Sequence, residues 1–236
     1  MEITFKRLKY AATKADPAVV VCDEELLMNV DIENANKELA GKHPQEIVNW
    51  AVSLGSKPIV TTNFGPDEAV ILHLAVQAKP DIDVVWIDSG YATRKTYLFA
   101  EKLITDLNLN LTVFNPLSSA ARRDALMGIP DVDDPQHEEF TRQVKLEPFG
   151  RAMREMAPDV WLTAVRRDQT AFRQGMDIVS QDTPEAVVKV APVLEWTAAD
   201  MDQYLSEHGL PNETNYYDPT KVLGNRECGL HNRFTA

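Results

Sequence analysis

Near the carboxyl end of the 236-residue sequence, Cys228 stands between Arg226 and His231 in the run RECGLH. Cationic neighbours favour a thiolate over a thiol, and the thiolate is the nucleophilic form. Gly229 adds backbone freedom for a segment that must carry a thiol to a substrate. The spacing fits equally a cysteine that is simply packed or exposed. The other cysteine, Cys22, lies in the apolar stretch AVVVCDEELL and is expected to pack.

A second concentration of reactive types is cationic. Arg166, Arg167 and Arg173 follow directly on the apolar run VWLTAV. Between residues 142 and 173, seven Lys or Arg stand against four Asp or Glu, a net +3 in a chain of formal charge −12. Guanidinium forks bind tetrahedral oxyanions through paired hydrogen bonds, so phosphate or sulfate is the expected ligand. A solvated loop paired with neighbouring acids is the alternative. Arg122 and Arg123 fit either the same pocket or a solvated helix face.

Two turns complete the set. TTNFGPD places Thr61, Thr62, Phe64 and Gly65 between an apolar run and a helical pattern, where hydroxyls and free helix amides suit an anion. DSGY places Asp88, Ser89 and Gly90 after a second apolar run; taken alone it is ordinary turn chemistry.

These residues need a scaffold, and the patterning supplies one. Residues 18–54 read as helical with a break at Gly41-Lys42. Strand-like runs follow at 58–62, 83–88 and 109–114, alternating with helical runs at 67–77 and 96–107. That alternation is the pattern of βαβ units and a mostly parallel twisted sheet with helices on both faces. The acidic stretch 131–139 reads as a surface loop, 147–156 as a helix, 160–165 as a strand and 187–193 as a further strand or an edge. Thr197 can cap a helix ending before Gly209. Nothing regular follows Leu210. The expectation is one α/β domain over 1–210, with a helical amino-terminal part, and a mobile, irregular carboxyl-terminal tail over 211–236 that carries Cys228. Ligands of open α/β sheets sit at the carboxyl edge of the strands, where both turns and the arginine run fall.

Composition narrows the functions. The net charge repels nucleic acid and anionic membranes in bulk, so an anionic substrate needs a local cationic pocket. Two cysteines exclude a disulfide scaffold, a four-cysteine zinc site and a cubane cluster held by one chain. No apolar run approaches the length of a membrane span, and MEITFKRLKY lacks a signal-peptide core. A soluble cytoplasmic protein without a metal is expected.

Taken together, the motifs resemble the phosphoadenylyl-sulfate (PAPS) reductase family, a branch of the adenine-nucleotide α-hydrolase-like fold. The similarity runs from about Ala51 to His231. TTNFGPDEAVILHL is similar to the family's degenerate pyrophosphate loop and following helix, WIDSGY to its Asp-Thr/Ser-Gly-Tyr turn, and VKLEPFGRA to its Lys-x-Glu-Pro stretch. AVRRDQTAFR resembles its arginine-rich loop, and ECGLH its carboxyl-terminal catalytic motif. The resemblance implies Cys228 as nucleophile, tuned or positioned by Arg226 and His231. It implies Lys145, Arg166, Arg167 and Arg173 on phosphate or sulfate. Thr61, Thr62, Phe64 and Gly65 would form the nucleotide-phosphate turn, and Asp88, Ser89 and Gly90 the wall near the adenosine. The implied reaction reduces PAPS to sulfite through an S-sulfocysteine, with thioredoxin or glutaredoxin as reductant and a homodimer as the assembly. The iron–sulfur cluster of the family's adenylyl-sulfate branch is not expected, because its cysteines are absent. Three departures stand out: Lys95 replaces a usual acid, the family's Gly-Tyr-x-Ser-x-Gly-Asp segment is poorly kept in YYDPTKVLGN, and the segment before Cys228 is shortened; Ala164 in place of a usual glycine is a minor change. Two other readings remain open: an adenylating ATP pyrophosphatase on the same fold, and a non-catalytic nucleotide-binding redox module.

Overall fold

The computed structural model describes residues 9–10, 30–181 and 187–221 of the chain. A two-residue strand, β1 (Lys9–Tyr10), precedes two helices, α1 (Ile32–Leu39) and α2 (Pro44–Leu54), separated at the expected Gly41 break. Each starts on a cap. Asp31 accepts from the amide of Asn34, and His43 with Glu46 closes a reciprocal box ahead of Pro44. The first part of the helical stretch expected over 18–54 lies outside the described residues up to 29.

Strands and helices then alternate as the patterning predicts: β2 (Pro58–Thr62), α3 (Glu68–Ala78), β3 (Asp83–Ile87), α4 (Arg94–Asp106) and β4 (Asn110–Phe114). Next come α5 (Ala120–Leu126), α6 (Gln136–Thr141), a π-helical turn (Arg142–Leu146) and α7 (Glu147–Met156). The last elements are β5 (Val160–Leu162), β6 (Val179–Ser180), β7 (Val188–Val190) and α8 (Ala198–Glu207). The Thr197 cap of α8 is present, with Asp200 completing its box.

The seven strands form one sheet in the order β1-β4-β3-β2-β5-β7-β6, parallel except for β6, which pairs antiparallel with β7. Neighbouring residues of the central strands face opposite layers. Val60, Val84, Leu162 and Val190 join one core cluster with Leu72, Leu103 and Met201. Ile59, Val85, Phe114 and Trp161 join a second cluster with Phe149 and Met153 of α7. Burial on both faces explains why these strands are continuous apolar runs rather than alternating ones. From β2 the chain moves to β3 on one side and later to β5 on the other. That reversal opens a crevice at the carboxyl ends of β2, β3 and β5.

Two local expectations are corrected and a third is resolved. Part of the acidic stretch 131–139 is helical, because His137 and Phe140, three apart, turn one face of α6 inward. The strand expected over 160–165 ends at Leu162, although the Thr163 amide still donates to Val190. The run at 187–193 gives an interior strand of three residues, not an edge, because β6 covers its outer side.

The opposite end of the sheet is closed by Asp159, whose carboxylate accepts from the amides of Ser56 (2.6 Å) and Lys57 (2.9 Å). Gly55 permits this approach: a Cβ there would fall 2.4 Å from the Asp159 carboxyl carbon. Gly55→Ala is therefore expected to destabilise the fold by about 1–3 kcal/mol, read as a lower urea midpoint. Gly175→Ala, where an added Cβ meets nothing within 4 Å, should leave the midpoint within about 0.5 kcal/mol of the parent.

Candidate active site

The loop after β2 is built from local hydrogen bonds. Thr62 Oγ1 accepts from the Phe64 amide (3.0 Å), and Asn63 Oδ1 accepts from the Gly65 amide (2.8 Å). The turn places Phe64 (φ 51°) and Asp67 (φ 65°) in the left-handed region, sparsely populated for such side chains and found where function constrains the backbone. What holds Phe64 there is burial. Its ring is fully buried and packs edge-on against Trp86 at 4.9 Å. Phe64 thus shapes the turn from beneath. Gly65 lets Tyr216 lie over it, since a Cβ would come within 3.3 Å of that ring. Thr61 points to the other layer, where its hydroxyl accepts from Trp161 Nε1 at 2.9 Å.

After β3, Asp88 Oδ1 accepts from the Gly90 amide (2.9 Å) and the Tyr97 hydroxyl (2.9 Å), and Ser89 Oγ accepts from the Tyr91 amide (3.2 Å). Gly90 adopts φ 82°. The turn is thus rigidly set by its own side chains. Burial and the Asp88 carboxylate push the Tyr97 hydroxyl pKa upward, so it remains a donor.

The arginines divide. Arg166 is buried between two acids, donating to Asp67 (2.7 Å) and Asp168 (2.9 Å). Asp168 also accepts from the Ala198 amide, which ties this loop to the start of α8. Arg173 is buried and donates to Gln169 of the same loop. Arg167 turns away from this cluster, donating to the Met176 carbonyl (3.0 Å) and to Glu195 (3.1 Å). Arg123 is buried and committed to Gln143 and the Ser118 carbonyl, whereas Arg122 is exposed.

Between the two turns lies a small cleft, open to solvent, lined by Asn63, Asp88, Ser89 and Lys145 and roofed by Tyr216, Tyr217, Asp218 and Thr220. The sequence predicts an irregular tail over this roof. In the structure residues 211–221 form a strap pinned along its length. Asn212 exchanges hydrogen bonds with Asp67, the Asn215 carbonyl accepts from the Thr93 hydroxyl, and Asp218 pairs with Lys145 at 2.6 Å. The signal was present as the cluster of Asn, Asp and Tyr in PNETNYYDP, whose partners are remote in sequence. Cys228, Arg226 and His231 lie outside the described residues.

Two carboxyls in this region behave oppositely. Burial would raise the pKa of Asp218, but Lys145 and the Thr220 hydroxyl and amide hold it down at about 2. Glu68, in the first turn of α3, was not singled out from the sequence. Burial of its carboxyl pushes its pKa up to about 7, against the pull of the Thr62 hydroxyl, Lys221 and Lys145. Among the described residues its buried Oε2 has no hydrogen-bond partner.

The fold is a mostly parallel α/β sheet of the adenine-nucleotide α-hydrolase-like class, with a cleft at the sheet reversal. Likeness to solved structures agrees on the architecture: an NH3-dependent NAD synthetase from Campylobacter jejuni superposes with a TM-score of 0.52 at 10% identity, over 80% of each chain. The family is more specific. The phosphoadenosine phosphosulfate reductase domain model matches residues 57–229, and the chain belongs to that family. A phosphoadenosine 5'-phosphosulfate reductase from Synechococcus is 41% identical over 181 residues, covering 75% of this chain and 76% of its own. The crystal structure of a phosphoadenylyl-sulfate (PAPS) reductase from Candida auris in a phosphate complex superposes with a TM-score of 0.67 at 25% identity, over 77% of this chain and 87% of its own. Among the described residues no helix is long and apolar enough to cross a membrane.

The Lys145–Asp218 pair gives a testable stability signature. Because the Asp218 pKa is depressed, its stabilisation is complete above the ordinary carboxylate pKa of about 4 and is lost as pH falls through about 2. Asp218→Asn should cost of the order of 3 kcal/mol at neutral pH, since it strands a buried ammonium. Urea unfolding of the variant should also show a shallower loss of stability across the acid range than the parent.

Proposed function

We propose that this chain reduces 3'-phosphoadenylyl sulfate to sulfite and adenosine 3',5'-bisphosphate, as an oxidoreductase of sulfate assimilation. One observation carries the reading: the match to the reductase family spans 57–229, from the first strand of the cleft through Cys228 and Gly229. The cleft supports it independently, because it places a lysine and two polar turns where an open sheet takes its ligand.

In this mechanism the Cys228 thiolate attacks the sulfonyl sulfur. An S–S bond forms and the S–O bond breaks, its electron pair leaving with the phosphate oxygen of adenosine 3',5'-bisphosphate. The S-sulfocysteine is then attacked by a thiolate of thioredoxin or glutaredoxin at the Cys228 sulfur, and sulfite departs with the bonding pair. A second thiol of the reductant resolves the mixed disulfide, so two electrons pass from dithiol to sulfur and Cys228 is regenerated. Arg226 and His231 favour the thiolate. Lys145, Arg166 and Arg173 supply the cationic field for the phosphosulfate, Thr62 and Gly65 shape the phosphate turn, and Asp88, Ser89 and Gly90 form the adenosine wall. Thr61 and Phe64 act through the shape of the turn, and Arg167 through the fold of its loop. The segment that follows the strap brings Cys228 to the cleft and withdraws it for the reductant. The chain works without an iron–sulfur cluster, having two cysteines in all, and as a cytoplasmic homodimer.

An adenylating pyrophosphatase needs room for pyrophosphate in the turn after the first strand of the cleft. Here that turn carries Phe64 at a glycine position, its backbone in the left-handed region and its ring packed beneath the turn.

The test is a thioredoxin-coupled sulfite assay run on PAPS and on adenylyl sulfate side by side. Cys228→Ser should lower sulfite formation from PAPS at least about a thousandfold, the loss expected when a covalent nucleophile is removed, with adenosine 3',5'-bisphosphate still bound. Full turnover of that variant, or ATP–pyrophosphate exchange by the parent, would overturn the assignment.

A further inference from the structure

The strap over residues 211–221 is held mainly by polar contacts. Among the described residues none of it joins either hydrophobic core cluster. Its amino end is pinned outside the cleft. There Asn212 accepts from the Asp67 amide and donates to the Asp67 carboxylate, each at 2.9 Å, and the Asn215 carbonyl accepts from the Thr93 hydroxyl at 2.9 Å. Its carboxyl end is fastened inside the cleft by Asp218 on Lys145 at 2.6 Å, and both side chains line the cleft. Pro219 and Thr220 are buried beside that pair, and the Tyr216 ring lies over Gly65. A segment with so little apolar burial opens at lower cost than the core beneath it.

The Asp218 carboxylate is arranged so that it can let go. Its Oδ1 accepts from the Thr220 hydroxyl (2.6 Å) and amide (3.0 Å), partners that belong to the strap and move with it. Its Oδ2 faces the Lys145 ammonium. One anionic oxygen is thus presented to the lysine at the short distance that a charge-assisted bond to phosphate or sulfate also takes. A ligand oxyanion at Lys145 with Asp218 still in place would crowd two anions onto one ammonium, and they repel. Space points the same way. With the strap across it the cleft measures about 30 Å³, room for a few waters rather than for a phosphate ester.

We propose that Asp218 is a latch that stands in for the ligand's oxyanion on Lys145, and that a phosphate or sulfate ester takes its seat by displacing Asp218 and lifting the carboxyl end of the strap. Charge is balanced in the exchange: Lys145 keeps an anionic partner throughout, and the released carboxylate keeps Thr220 and gains water. Asp218 does not touch the reacting atoms. It acts through Lys145 as a specificity-determining residue, because a ligand that brings no oxyanion to that ammonium leaves the latch shut. The pins at Asn212 and Asn215 set how strongly the shut form is favoured, and every ligand's apparent affinity is lowered by that preference.

The inference rests on the proposed nucleotide reading of the cleft, and the experiment separates the two. Adenosine 3',5'-bisphosphate is titrated calorimetrically into the full chain. In parallel, chymotrypsin cutting after Tyr216 and Tyr217, both in the roof, is followed by mass with and without the nucleotide. Asn212→Ala removes a pin that lies outside the cleft and should bind about three- to tenfold more tightly than the parent, the factor by which a lost pin raises the open fraction. Asp218→Asn, which removes the competing anion, should bind at least about tenfold more tightly. Saturating nucleotide should speed the cutting of the parent strap. A residue that serves only the fold gives the opposite sign. Unchanged or weaker binding by Asn212→Ala or by folded Asp218→Asn overturns the proposal, as does cutting that bound nucleotide slows or leaves unchanged. Should Asp218→Asn fail to fold, Asn212→Ala and the cutting of the parent decide. If the parent does not bind the nucleotide, the nucleotide reading fails, and the latch is then judged by inorganic phosphate in the same two measurements, with the same signs required.

Discussion

Arg166 is buried, and its guanidinium spans Asp67 at the start of α3 and Asp168 in its own loop. Burial opposes its charge, and the two carboxylates more than compensate. Through them one side chain joins the β2 turn, the loop after β5 and the amino end of α8, because Asp168 also caps Ala198. Asp67 in turn holds Asn212, where the strap begins. The roof of the cleft therefore depends on the same charge network as its floor. In a low-dielectric setting such a network is worth little as gross stability but specifies geometry tightly, because each unmatched charge is penalised.

That arrangement recasts the cationic run as architecture first. Arg166 sets the spacing of three elements, Arg167 clamps the far side of its loop, and Arg123 is spent on Gln143 and a carbonyl. Among the described residues, Lys145 is the cation that lines the cleft, and it is offset by Asp218. On the proposed reading, a phosphosulfate bound here would exchange the carboxylate partner of Lys145 for its own anionic oxygens, a trade that favours discrimination over raw attraction. The strap takes part in that exchange, since Asp218 belongs to it and the chain runs on from it toward Cys228.

Much of the scaffold was legible from residue order. The βαβ alternation from 58 to 114 showed because strands buried on both faces must be continuously apolar, while the helices between them carry a different period. The Thr197 cap and the Gly41 break read correctly because capping is local chemistry within four residues. Short elements were not legible. Strands β1 and β6 have two residues each, too few for any period, and α6 was hidden in an acidic stretch because only His137 and Phe140 turn inward.

Residue types and order alone determined the fold class, the two turns, the cationic concentration and the solitary thiol near the end of the chain, since each is a matter of local composition and spacing. The tertiary structure decided which polar groups face one another. It buried Phe64 beneath its turn, sent Thr61 to the opposite layer, turned Arg167 outward, laid residues 211–221 across the cleft and left Glu68 with a buried oxygen that has no hydrogen-bond partner among the described residues. The reason is electrostatic. The state of a charge depends on burial and on partners within a few ångströms, and here those partners lie about 70 to 145 positions away along the chain.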